Sequence, residues 1–140
     1  MKYSLSIVLV IVTQSFLFSQ SHSLTIKLSP IQSQKGFIEL SLYDKPSNFP
    51  KVGKTFKMVR IKPIGKQLTY TFKGLKPGKY AVCTYHDENQ NNVCDKNMFG
   101  IPTEAYAFSR NYRPILSAPT FSQCSVEVIK NTSLNIKMVY

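Results

Sequence analysis

The residues best equipped for chemistry lie in one stretch, YHDENQNNVCDKNMFGIPTEAYAFS, from Tyr85 to Ser109. Counting Asp87 as the first position, Asn89 stands third, Asn91 fifth, Val93 seventh and Asp95 ninth. Side-chain oxygens at the first, third and fifth positions, a backbone carbonyl at the seventh and a carboxylate at the ninth match the spacing of a calcium loop. A tightly turning backbone brings alternate side chains to one concave side, where a hard cation can exchange water for their oxygens. The sixth position needs a left-handed backbone; it holds Asn92, the residue after glycine best suited to that conformation. The twelfth holds Met98 in place of a bidentate glutamate, so the segment is not an EF-hand, although Glu104 could fold back as a remote ligand. Asp87 and Asp95 alone carry charge at this spacing, which predicts weak calcium binding, with Kd on the order of 10⁻⁴ to 10⁻³ M. The same residues also suit a loop whose Asx turns bond their own backbone and need no metal. The spacing leaves both readings open.

Other chemistries find less support in the same residues. Zinc could draw on Cys83, His86, Cys94 and Cys124, but the spacing matches no common zinc pattern. Cys83 and His86 are also an odd number apart, which sends them to opposite faces of a strand. No Gly-x-Ser-x-Gly elbow or Cys–His signature surrounds His86, so nucleophilic catalysis has no motif. His86 is expected to end its strand and anchor the loop by hydrogen bonding. An acid–base enzyme centred on His86 and Glu104 stands as an alternative function that no motif supports. Beyond the loop, Tyr106, Phe108, Tyr112 and Phe121 are expected to pin the chain onto the core. If exposed beside Arg110 and Arg113, Tyr106, Phe108 and Tyr112 would instead make a recognition surface for a glycan or peptide.

The elements that must position these residues are strands. LTIKL, FIELSLY, TFKMVRI, QLTYTF, KYAVCTY, SVEVI and LNIKMVY are short runs of largely alternating polarity. Between them lie SPIQSQKG, DKPSNFPKVG, KPIGK, GLKPGK and KNTS, each rich in turn formers. This pattern predicts an all-β fold, a single immunoglobulin-like antiparallel β-sandwich of about seven strands. One long loop, from about His86 to Thr120, has no strong periodicity; loops of that length are commonly functional.

The N-terminal segment MKYSLSIVLVIVTQSFLFSQSHS has a positive start at Lys2, an apolar run over Leu5–Val12 and small residues after it. That is the pattern of a secretory signal peptide, which predicts a leader over residues 1–23, a domain over 24–140 and an exported, periplasmic or extracellular product. No second apolar stretch suggests a transmembrane segment. The three cysteines permit one disulfide at most, and their spacing selects none of the three pairings. The formal charge is +11, from 18 Lys+Arg against 7 Asp+Glu. The lysines alternate with apolar residues, which places them on solvent-facing strand surfaces. Export and the lack of a recognised motif argue against nucleic acid as a partner. Binding of an anionic glycan or membrane surface through the basic strand faces is the second alternative function.

The stretch GLKPGKYAVCTYHDENQNNVCDKNMFGIPTEAYAFS resembles the bacterial exported proteins of domain-of-unknown-function family 2141. Their pattern runs Leu-x-Pro-Gly-x-Tyr-Ala-Val, then His-Asp-Glu-Asn-Gly-Asn-Gly, then Gly-Ile-Pro-Thr-Glu-Gly-Tyr-Gly-Phe-Ser, and the likeness extends from about Leu24 to Tyr140. This chain has Gln90, Asn92, Ala105 and Ala107 where that pattern has glycine. FKGLKPGKYAV is also similar to carboxypeptidase regulatory-like and collagen-adhesin B-type modules, in which a Pro-Gly turn leads into a core strand. The resemblance implies an immunoglobulin-like or transthyretin-like sandwich exported in Gram-negative bacteria, and no established activity. The reading overall is a non-enzymatic envelope protein with a binding or structural role, its partner a glycan or protein, and calcium its one candidate cofactor.

Overall fold

Alternating polarity folds here into two facing sheets. The computed structural model describes residues 20–140, so the expected leader lies almost wholly outside the described residues. Eight strands form: β1 (His22–Ser29), β2 (Phe37–Tyr43), β3 (Lys57–Ile61), β4 (Leu68–Leu75), β5 (Gly78–Asp87), β6 (Tyr106–Phe108), β7 (Val126–Val128) and β8 (Thr132–Lys137). A three-residue 3-10 turn (Ser109–Asn111) and α1 (Phe121–Cys124) are the helical pieces. β1 takes in His22 and Ser23, the last two residues of the expected leader. Among the described residues no helix is long and apolar enough to cross a membrane.

One sheet has the order β4-β1-β8; the other has β3-β2-β5-β6, with β7 also paired to β5. The all-β sandwich is as expected, with one departure from antiparallel pairing: β8 runs parallel to β1, Leu24 opposite Thr132 through Ser29 opposite Lys137. The core lies between the sheets. Leu24, Ile26 and Leu28 of β1 meet Ile38, Leu40 and Leu42 of β2, all fully buried, with Phe72, Val82 and Ile136 among them. Burial of this apolar area, at about 25 cal/mol per Å², is the main driving force for folding.

β5 is covered on both faces. Tyr80 and Val82 enter the main core, whereas Ala81 joins Tyr43, Phe49, Phe108, Phe121 and Cys124 in a second cluster on the outer side of the same sheet. Phe49 lies edge-on to Tyr43, Phe108 and Phe121, with ring centroids 5.2, 6.1 and 6.1 Å away. The segments after β2 and β6 therefore wrap the sheet and do not hang from it. β6 pairs with residues 83–85 of β5 and β7 with residues 78–80, leaving backbone groups at Val82 between them. The fully buried Ser109 fills that gap: its Oγ accepts the Val82 N–H (2.9 Å) and donates to the Cys124 carbonyl (2.6 Å). Ser109→Ala would leave both groups buried without a partner. A loss of about 2 kcal/mol is expected, read by urea unfolding; a loss below about 0.5 kcal/mol would mean water takes the hydroxyl's place.

Candidate functional site

The loop leaving β5 is built on Asp87, the last residue of that strand and fully buried. A buried carboxylate needs partners, and Asp87 has three. Its Oδ1 accepts the Asn91 N–H (3.1 Å), and its Oδ2 accepts the Asn92 N–H (3.0 Å) and an Arg60 N–H. Burial pushes the carboxyl pKa up, but the Arg60 and Asn92 hydrogen bonds and the Arg60 charge outweigh it and hold the group below its ordinary value. Arg60 is positioned by β3, where it stands opposite Glu39 of β2, and its guanidinium lies 5.3 Å from the centre of the Phe37 ring. Its second arm reaches the Asn92 side-chain oxygen.

Beyond Asp87 the alternate side chains turn to a common side. Asn89 donates to Asp95 Oδ2 (2.6 Å), and Asn91 donates to both Asp95 oxygens (3.0 and 3.1 Å). The side-chain oxygens of Asn89 and Asn91 accept the N–H two residues on, from Asn91 (3.0 Å) and Val93 (2.9 Å), forming consecutive Asx turns. Asn92 has φ 65° and Gln90 φ 64°, so both take the left-handed conformation that glycine favours. Glu104 does fold back: its Oε2 accepts the Asp95 N–H (3.1 Å), while its Oε1 is buried without a partner. Burial, then the charges of Asp95 and Asp87, raise its pKa. Met98, at the twelfth position, points into solvent.

His86 is also fully buried. Its Nε2 hydrogen-bonds the Lys35 carbonyl (2.8 Å) in the β1–β2 loop, and its backbone N–H donates to Ala105 (2.8 Å), at the far end of the long loop. His86 is the last residue but one of its strand, and its ring ties down the β1–β2 loop while its backbone holds the long one. A pocket of about 330 Å³ is lined by Gln34, Lys35, Gly36, Phe37, Lys62, Glu88 and Gln90, and neither His86 nor Glu104 lines it. The cysteines are free thiols, with burial pushing Cys83 up to about 12 and Cys94 and Cys124 up to about 11. They remain protonated at neutral pH, unlike thiols primed as nucleophiles or metal ligands. Among the described residues no three His, Cys, Asp or Glu side chains are grouped to hold a metal ion.

The aromatic series does not assemble as a recognition surface. Phe108 and Phe121 are buried in the outer cluster and Tyr106 and Tyr112 pack against it, while Arg110 and Arg113 are exposed and Arg110 donates to the Ser122 carbonyl (3.3 Å). Packing wins because the exposed outer face of β5 would otherwise leave aromatic surface in water. Arg60 was absent from the sequence-derived candidates. It sits in the lysine-rich run KTFKMVRIK, and nothing in that run separates it from its solvated neighbours.

Comparison with protein families adds the decisive observation. A family model described as an uncharacterized protein conserved in bacteria, domain of unknown function 2141, matches residues 26–137. The chain belongs to this family. The match runs from the middle of β1 to the end of β8, so it takes in nearly all of the sandwich together with its long loop. In this member the motif positions Gln90 and Asn92 keep left-handed backbones without glycine. No curated protein and no solved structure matches the chain.

Proposed function

We propose that this family member is an exported, non-catalytic β-sandwich with a binding or structural role in the cell envelope, whose 87–95 loop takes up calcium weakly. The observation that carries the reading is the convergence of Asn89 and Asn91 on Asp95 at one side of a single loop turn, whose backbone N–H groups Asp87 accepts. Asp87, Asp95 and the side-chain oxygens of Asn89 and Asn91 would hold the ion together with the Val93 carbonyl; Asp87, Asp95 and Glu104 are not grouped around one point among the described residues, so Glu104, with one buried oxygen unpartnered, would join only after the loop rearranges. Loading the ion requires the Asn89 and Asn91 amides to present oxygen where NH₂ now faces Asp95, which gives up the two Asx turns that those oxygens hold. That exchange, and the neutralisation of Asp87 by Arg60, account for low affinity. Export rests on the N-terminal segment, with its positive start and apolar run.

A thermal melt in calcium and then in chelator tests the metal. At about 10 mM calcium a Kd on the order of 10⁻⁴ to 10⁻³ M stabilises by roughly 1.5 to 2.5 kcal/mol. The midpoint should rise by about 5 °C or more, and Asp95→Asn should abolish the rise. An unchanged midpoint in the parent protein would remove calcium and leave a loop ordered by its own hydrogen bonds.

A further inference from the structure

The strand directions bring three loops to the Asp87 end of the sandwich: residues 30–36, 62–67 and 88–105. They are joined there. Ile31 N–H donates to the Lys66 carbonyl (2.9 Å), Gln34 and Gly65 bond reciprocally at 2.8 Å, and Arg60 ties β3 to Asn92. Two of these loops end in apolar tips. Ile64, 85% exposed, sits between Lys62 and Lys66 on the β3–β4 turn. Met98 and Phe99 are 90% and 80% exposed, and Ile101 is 56% exposed, on a second turn whose base pairs Lys96 with Pro102.

The second tip is held in shape rather than slack. Asn97 N–H donates to the Ile101 carbonyl (2.9 Å), and the Asn97 side-chain oxygen accepts the N–H groups of Phe99 (3.0 Å) and Ile101 (3.1 Å). Gly100, at φ 77°, closes the turn. Backbone hydrogen bonds thus present two large apolar side chains to water, which costs free energy unless something covers them.

Charge indicates what does. Lys35, Lys62, Lys66 and Lys96 are exposed on the same three loops. Of the acidic groups there, only Glu88 is exposed, since Asp87 is buried against Arg60 and Asp95 and Glu104 are half-buried inside the loop. The outward surface is therefore apolar points flanked by cations, on a chain of net charge +11. Isolated side chains on convex turns form no apolar groove for a folded partner, and the pocket between the loops is lined mostly by polar and charged residues. A glycan would be held by hydrogen bonds and flat aromatic faces, to which Met98, Ile64 and Ile101 add nothing. A bilayer buries convex apolar tips by letting them in, while lysines stay at the level of the anionic headgroups. We propose that these loops dock on an anionic lipid bilayer, inserting the tip that carries Met98 and Phe99. The proposal deepens the envelope-binding role but does not depend on calcium.

Phe99→Trp tests it, because the chain has no other tryptophan. The protein, with its N-terminus read by mass spectrometry, is mixed in chelator with vesicles of phosphatidylcholine containing phosphatidylglycerol, and separately with phosphatidylcholine alone. Blue-shifted emission and co-sedimentation are expected with the anionic vesicles, both weakened by salt. Met98→Ser/Phe99→Ser should melt like the parent and partition about tenfold more weakly or less still. Ile115→Ser/Leu116→Ser, which removes two exposed apolar residues from a different loop, should partition like the parent. Because the variants share one N-terminus, their difference isolates the tip from the apolar N-terminal segment. Three results would overturn the proposal: absence of binding, binding indifferent to the Met98/Phe99 change, or an indole emission shift that follows protein concentration without lipid. The last would indicate self-association, and binding indifferent to the tip would indicate adsorption through lysines alone. A calcium-insensitive melt with intact vesicle binding would defeat the metal reading and leave this one standing.

Discussion

Arg60→Met is expected to destabilise the protein by about 3 kcal/mol at neutral pH, because it strands the Asp87 carboxylate in a fully buried position. Two loop N–H groups would still hydrogen-bond the carboxylate, but no counter-charge would remain. The pH dependence carries the diagnosis. Asp87 has a depressed pKa in the folded protein, so its stabilising contribution is present above the ordinary carboxylate range and is lost as pH falls through the folded value. In Arg60→Met burial no longer meets opposition from the guanidinium. The gap between parent and variant should be widest near pH 7 and narrow below about pH 4. Urea titrations at a series of pH values measure it. Asp87→Asn in the Arg60→Met background should recover part of the loss, since the buried group is then neutral. A pH-independent gap would mean that Arg60 acts through its packing on Phe37 instead.

Gly36→Ala is expected to cost about 3 kcal/mol or more, for two separable reasons. Gly36 has φ +62°, a conformation that costs an L-residue about 1 to 2 kcal/mol. A Cβ there would also lie 1.9 Å from the Asp87 carbonyl oxygen and 2.7 Å from the Glu88 Cα, both of them backbone. No side-chain rotation relieves that clash, so the β1–β2 loop and the start of the 87–95 loop must move apart, adding roughly 1 to 3 kcal/mol. The same movement would pull Lys35 away from His86, whose ring holds its carbonyl. Loss of calcium response and a lower urea midpoint should therefore appear together. Gly65→Ala is the control: it has φ +77° but open space around the added Cβ, so only the conformational cost should appear.

How much of this was legible can be followed residue by residue. Ile38, Leu40 and Leu42 alternate with polar neighbours and are fully buried, and Leu24, Ile26 and Leu28 behave alike. In β5 the run KYAVCTY signals a strand but not which face is buried, because both faces are covered and Tyr80 through Asp87 are nearly all buried. β6 escaped notice inside the long loop, since three residues are too few for a period to register. Asn89 and Asn91 turn their amides to Asp95, whereas Asp87 turns inward, and Asn92 has the left-handed backbone its position calls for. The counter-ion did not come from the loop at all. Arg60 lies 27 positions away and reaches Asp87 only because β3 and β5 flank β2.

Local order along the chain was enough to determine an all-β domain, its strand-forming runs, its turns and the inward curl of one polar loop, because pleat and turn chemistry act over a few residues. Folding in three dimensions decided the parallel β1–β8 pairing, the aromatic cover on the outer sheet face and the Arg60–Asp87 pair. Those depend on which strands become neighbours, and neighbours are chosen by the joint burial of apolar surface from the whole chain.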